Sequence, residues 1–304
     1  MRKVGIIGLG HVGATVALMI AQGGYVDELV LIDTDEAKVK SEEGDLLDAQ
    51  SLLNFHTKIY VGDYADLADA DVVLSTLGRI DLLQANGDRF TELRANVPSV
   101  KAVSAELKKS GFSGILIVTT NPNDVIVDLY YRETGFPHAK ILGTGTYLDT
   151  ARMKRQVGEA LGIDARSVTG YNLGEHGNSQ FTAWSTVRVA DRPMTEIAAE
   201  KGLDLNDLAE KARWGGFTVF DGKKYTNVAI AAATVGLMNL VFEDAHNVAI
   251  CSHYSVESDS YISTPAIIGK NGVEEVLALQ LTADEEAQLK KSMAEIKEKS
   301  QKFA

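Results

Sequence analysis

The sequence predicts an α/β fold, a doubly wound parallel sheet followed by a smaller α+β domain, and three observations carry that prediction. Short β-branched runs at 4–7, 29–32, 58–61, 72–76, 115–119 and 140–142 alternate with longer segments of helical periodicity. The runs are apolar on both faces, as parallel strands covered by helices on two sides must be. After about residue 145 the alternation loosens. We place a boundary at this change of rhythm, giving two domains, 1–143 and 144–304. The length of 304 residues fits two units of about 150.

Taken in order, the first strand (4–7) runs into a glycine-rich turn and a helix at 12–21, and the second (29–32) ends on Asp33 before a helix at 36–53. The third and fourth strands lead to a helical stretch over 90–109. Pro98 is expected to break that stretch near its middle, because proline lacks an N–H and crowds the preceding turn. The fifth strand runs to Asn121-Pro122, and the sixth ends the alternation. Beyond it we expect a helix at 147–161, a strand at 182–189, helices at 205–213 and 227–241, strands at 248–252 and 266–268, and a terminal helix at 284–299.

Composition narrows the function. With 30 Lys+Arg against 42 Asp+Glu the net charge is −12, the wrong sign for nucleic acid or an anionic membrane. The longest apolar stretch, 228–235, is far short of the ~20 residues a bilayer requires. No export signal precedes the first strand, and a cytoplasmic location is expected. The lone Cys251 reads as a small buried hydrophobe.

Gly8-Leu9-Gly10-His11-Val12-Gly13 is a G-x-G-x-x-G turn between strand and helix, and Asp33 follows its last glycine by 20 residues. Alone the glycine spacing is common; in this context it is the Rossmann dinucleotide signature. Glycines let the backbone approach a pyrophosphate, and the helix N-terminus offers unpaired N–H groups to its charge. Asp33 would accept from a ribose 2′-hydroxyl and repel a 2′-phosphate, so NAD is expected over NADP. Gly78, at the end of the fourth strand, belongs to the same rim. His11 reads as a tolerated filler of a variable position.

Three segments combine charge with special backbone: 143–152, where Asp149 and Arg152 share a helix face at i and i+3; 173–179, where His176 lies between Gly174 and Gly177; and 79–89, a long loop after the fourth strand. Over essentially the whole chain, and through G-T-G-T-Y-L-D-T-A-R at 143–152 and G-Y-N-L-G-E-H-G-N-S-Q-F at 170–181, the sequence resembles the L-lactate/malate dehydrogenase family. The resemblance implies that His176 gives and takes the substrate proton, that Asp149 is its carboxylate partner, and that Arg152 clamps the substrate carboxylate. It implies that Arg89 polarises the substrate carbonyl, that Asn121 lies near the nicotinamide and the histidine, and that Thr226 walls the side-chain pocket. It further implies a small 2-oxo/2-hydroxy acid as partner and a homo-oligomer, expected to be a tetramer.

These roles are chemically coherent. Reducing a ketone leaves charge on its oxygen, and histidine can supply a proton there near neutral pH, aided by a buried carboxylate. Two arginines create the local positive field that an anionic substrate needs in an acidic protein. The loop after Gly78 departs from the malate enzymes of the family, which carry an arginine three residues on, where Asp81 stands. Asp81 would repel a second carboxylate, and Leu82 and Leu83, with Ile80, would wall a roomier apolar pocket. A preference for branched or longer 2-oxo acids is therefore expected, with L-lactate dehydrogenase as the alternative. Two other classes stay open at this point. An NAD-dependent glycosidase would require a metal, for which no Cys/His pattern appears, and a non-catalytic NAD-binding protein has no need of His176, Asp149, Arg152 and Arg89 together.

Overall fold

The computed structural model describes residues 1–78 and 89–302, the side chains of 89–91 excepted. Strands β1 (Lys3–Ile7), β2 (Glu28–Ile32), β3 (Lys58–Val61), β4 (Val72–Ser75), β5 (Ile115–Val118) and β6 (Ile141–Gly143) pair in parallel, in the order β6-β5-β4-β1-β2-β3. Side chains alternate faces along each strand. Val4, Ile6, Leu29, Leu31, Val72 and Leu74 face one buried layer, whereas Ile7, Val30 and Val73 face the other. Helices α1 (His11–Gly23) and α2 (Glu36–Gln50) contribute to the first layer; α3 (Arg89–Ser110) and α4 (Asn123–Thr134) contribute to the second. The direction of winding reverses between β1 and β4, so the carboxyl ends of those two strands open a crevice.

The second half extends this sheet as well as building its own. Helix α5 (Tyr147–Leu161) leads to a three-stranded antiparallel sheet of β7 (Val168–Leu173), β8 (Phe181–Val189) and β9 (Arg192–Pro193). Helices α6 (Met194–Lys201), α7 (Leu205–Lys223) and α8 (Val228–Glu243) follow. Strands β10 (Asn247–Ser255), β11 (Ser260–Gly269) and β12 (Gly272–Val276) then return to β6, where Ser252 pairs with Gly143, giving nine strands in one sheet among the described residues. An exposed edge at β6 would offer unpaired backbone groups, and periodicity carries no hint that distant strands cover it. The chain ends in α9 (Ala283–Gln301).

One expectation is corrected. Pro98 does not break its helix; α3 runs unbroken from Arg89 to Ser110. Pro98 and Arg94, whose carbonyl loses its partner, both lie on the exposed face, where water can replace the missing bond. Cys251 is buried in the core, as expected, and burial pushes its thiol up to about 12. Among the described residues no helix is long and apolar enough to cross a membrane.

Candidate active site

The crevice between β1 and β4 holds a cavity of about 570 Å³ lined by Gly8, Gly10, Asp33, Lys38, Gly78 and Asn96. The glycine turn is shaped for a ligand. A Cβ added at Gly13 would stand 2.0 Å from the Gly8 carbonyl oxygen, so the helix packs onto the turn only with glycine there, whereas one at Gly10 would meet nothing within 4 Å. Gly10 caps α1 with no side-chain hydrogen bond to the first-turn N–H groups, the arrangement that favours a phosphate. The Asp33 carboxylate is already oriented, accepting from Leu9 N at 2.5 Å and Asp35 N at 3.0 Å. These features fit a dinucleotide.

A second group of residues lies on α5 and the β7–β8 connection. Asp149 sits in the first turn of α5, where the helix dipole favours a carboxylate, and Arg152 one turn later. The carboxylate bridges two partners: Oδ2 lies 2.6 Å from His176 Nδ1, and Oδ1 accepts from Arg152 Nη1 at 2.8 Å. Asp149 is only 1% exposed. Burial alone would push its carboxyl up, but His176 and then Arg152 outweigh burial and hold it below the usual carboxylate range. A carboxyl lowered on folding stabilises the protein fully above its unfolded value of about 3.9 and loses that contribution as pH falls through the lower folded value. Asp149→Asn should therefore flatten the acid limb of stability below about pH 4, measured by urea unfolding across pH. An unchanged limb would show that the ion pairs contribute nothing.

The histidine loop is held from three sides. Gly174 N donates to Ser263 O at 3.0 Å, Glu175 N to Ser292 Oγ at 2.7 Å, and His176 N to Asp124 Oδ2 at 2.7 Å. The Glu175 side chain, buried, pairs with Lys299 of α9 and accepts from Ser179 Oγ at 2.7 Å. Burial likewise pushes the Asp124 carboxyl up. The supports from Asp124, Ser263, Ser292 and Lys299 are not signalled by the sequence, since all four lie at least 52 residues from their partners in the loop. A feature that the sequence reading missed is Gly215-Gly216 in α7: a Cβ at Gly216 would come within 3.0 Å of Arg152 Nη2. A glycine pair inside a helical run is the available signal for such close approach.

Asn121 links the two groups. Its carbonyl accepts from Asn96 Nδ2, a cavity-lining residue, at 3.0 Å, and Asp124, three residues on, accepts from His176 N. Asn121 Oδ1 is buried without a hydrogen-bond partner among the described residues, an acceptor suited to a ligand donor. Thr226 is half-buried in the connection between α7 and α8. Arg89 opens α3, but its side chain, like Asp81, Leu82 and Leu83, lies outside the described residues.

Fold and site together define a dinucleotide-dependent oxidoreductase. The sequence matches the lactate/malate dehydrogenase NAD binding domain over residues 2–143 and the lactate/malate dehydrogenase alpha/beta C-terminal domain over residues 146–304. L-lactate dehydrogenase 1 of Bifidobacterium longum is 38% identical over 306 residues, covering 97% of this chain and 96% of that protein. L-lactate dehydrogenase 3 of Bacillus anthracis is 35% identical over 300 residues, covering 96% and 94%. The crystal structure of the minor L-lactate dehydrogenase from Enterococcus mundtii superposes with a TM-score of 0.93 at 33% identity, covering 98% of this chain and 96% of that one. The chain belongs to the lactate/malate dehydrogenase family. It is an oxidoreductase acting on a 2-hydroxy acid, with NAD as its cofactor.

Proposed function

We propose that the chain is an NAD-dependent L-2-hydroxy acid dehydrogenase, with residues 1–143 holding the dinucleotide and 144–304 binding and protonating the substrate. The observation that supports this best is the buried Asp149 carboxylate bridging His176 and Arg152. With His176 protonated, two cations face one carboxylate, and the group lacks one negative charge. The carboxylate of a 2-oxo acid supplies it, which reconciles an anionic substrate with a chain of net charge −12.

Bound NADH supplies the hydride that reduces the keto carbon. Gly8, Gly10, Gly13 and Gly78 shape the cradle that holds the dinucleotide, and Asp33 selects its unphosphorylated ribose. Arg152 grips the substrate carboxylate through its planar fork, fixing which face of the keto carbon is presented. Arg89 stabilises charge developing on the carbonyl oxygen. Asp149 holds His176 with its Nδ1 proton directed inward, so that Nε2 is the atom that passes a proton to that oxygen and recovers it in the reverse direction. Asn121 stands between the two halves of the site.

For the substrate side chain we propose a branched aliphatic group, the activity of an L-2-hydroxyisocaproate dehydrogenase. Asp81 disfavours a second carboxylate, and Leu82 and Leu83 offer apolar wall at about 0.8 kcal/mol per buried CH₂. The names of the relatives favour a second reading, L-lactate dehydrogenase. Initial rates of NADH oxidation across pyruvate, oxaloacetate, phenylpyruvate and 2-oxo-4-methylpentanoate decide between them. We expect the branched substrate to exceed pyruvate in kcat/KM by about tenfold or more, the worth of two or more buried methylenes, with oxaloacetate inert. A higher value for pyruvate would establish the lactate reading, and inactivity on all four would overturn the site assignment.

A further inference from the structure

We propose that His11 is a positioning residue for the substrate pocket: from the first turn of α1 it holds, through an aromatic stack, the segment that carries Thr226. The proposal deepens the functional reading above and rests on Thr226 walling the pocket. By sequence His11 only fills a variable position; in the fold it has a partner. Its imidazole lies flat on the Tyr225 ring, with centroids 3.7 Å apart and planes 6° from parallel.

The other side of Thr226 is tied to the same helix. Asn227 Nδ2 donates to Thr15 Oγ1 at 2.9 Å, and Thr15 Oγ1 donates in turn to the His11 carbonyl at 2.7 Å. Lys223 completes the cluster, its Nζ lying 4.9 Å from the Tyr225 centroid and donating to Asn227 Oδ1 at 2.6 Å. Both chain neighbours of Thr226 are therefore fastened to the start of α1, one to His11 in its first turn and the other to Thr15 a turn later.

This fastening matters because apolar burial contributes little to holding the segment. Residues 221–224 are exposed and 225–227 only half-buried, and none of them belongs to a hydrophobic core cluster. Where burial is slight, directional contacts such as a stacked pair and hydrogen bonds carry more of the local conformation. The same α7 that ends at this segment packs its Gly216 backbone against Arg152. Loosening the stack therefore frees one wall of the pocket, while the glycine turn, made by backbone, keeps its shape.

The test uses the full chain with His11→Ala, which removes the stack, and His11→Phe, which restores an aromatic face without the imidazole nitrogens. In His11→Ala the KM for 2-oxo-4-methylpentanoate or pyruvate, whichever the wild type reduces better, should rise about three- to tenfold, the worth of one stacking contact, with kcat within about twofold. NADH affinity, read by fluorescence titration, should also stay within about twofold, and His11→Phe should return the KM to near the wild-type value. Hydrogen exchange over residues 223–229 should be faster in His11→Ala and restored in His11→Phe.

An unchanged KM in His11→Ala, a rise that phenylalanine does not rescue, or a parallel loss of NADH affinity would overturn the proposal. If the wild type reduces no 2-oxo acid, the functional reading fails. The exchange comparison then still decides whether His11 holds the segment, unaltered exchange in His11→Ala refuting it.

Discussion

Replacing His176 by glutamine should cut turnover by orders of magnitude and leave NADH binding intact. Glutamine keeps the approximate length of the side chain and can still donate a hydrogen bond to Asp149, but it has no proton to give at neutral pH. General acid–base groups contribute about 10²- to 10⁴-fold, and a fall of that size in kcat is expected. The loop itself should survive the change. Its backbone N–H groups at Gly174, Glu175 and His176 are satisfied by Ser263, Ser292 and Asp124, none of which depends on the imidazole. NADH fluorescence titration beside steady-state oxidation of NADH separates the two effects. Turnover within a few-fold of wild type would remove His176 from the chemistry, and a parallel loss of NADH affinity would mean the substitution had disturbed the fold.

The parts of the site that lie close together in the chain are legible in the amino-acid sequence. The G-x-G-x-x-G turn and Asp33 are local signals whose physical demands, a close approach and an acid at the end of the next strand, restrict the residue types. Asp149 and Arg152 share a helix face by spacing alone. What spacing cannot give is how deeply that face is buried or what meets it. The burial of Asp149 between His176 and Arg152 depends on α5 meeting the β7–β8 connection, and the pairing of Glu175 with Lys299 joins residues 124 apart. Such contacts depend on chain topology, which periodicity reports only coarsely. The fold shows the same division. Parallel strands on the N-terminal side are legible because alternation is local, whereas the return of β10–β12 to the β6 edge joins Ser252 to Gly143 across more than a hundred residues. Pro98 marks the opposite error, a local rule applied where an exposed helix face relaxes it. His11 is a third kind of case, a residue without a motif role whose partner, Tyr225, lies beyond the reach of any pattern.

Arg152→Gln should lower kcat/KM by about 10²- to 10⁴-fold, because two charge-assisted hydrogen bonds of about 1.5–3 kcal/mol each are lost together. The loss should divide between the two constants. Weaker grip on the carboxylate raises KM, and a substrate free to rotate presents its keto carbon less often, which lowers kcat. Arg152→Lys should recover only about a tenfold share of the loss, since an ammonium restores charge but not the fork. The surroundings favour a flat group: the guanidinium lies against α7 where Gly216 has no side chain, and a Cβ there would approach Nη2 to 3.0 Å. Arginine also neutralises Asp149, so glutamine leaves that buried carboxylate with only His176 of these two partners beside it. The two duties can be told apart. If Arg152 served only Asp149, lysine would restore activity nearly fully and KM would not move in either variant; a KM that climbs in both, steeply with glutamine and less with lysine, assigns the fork to the substrate carboxylate.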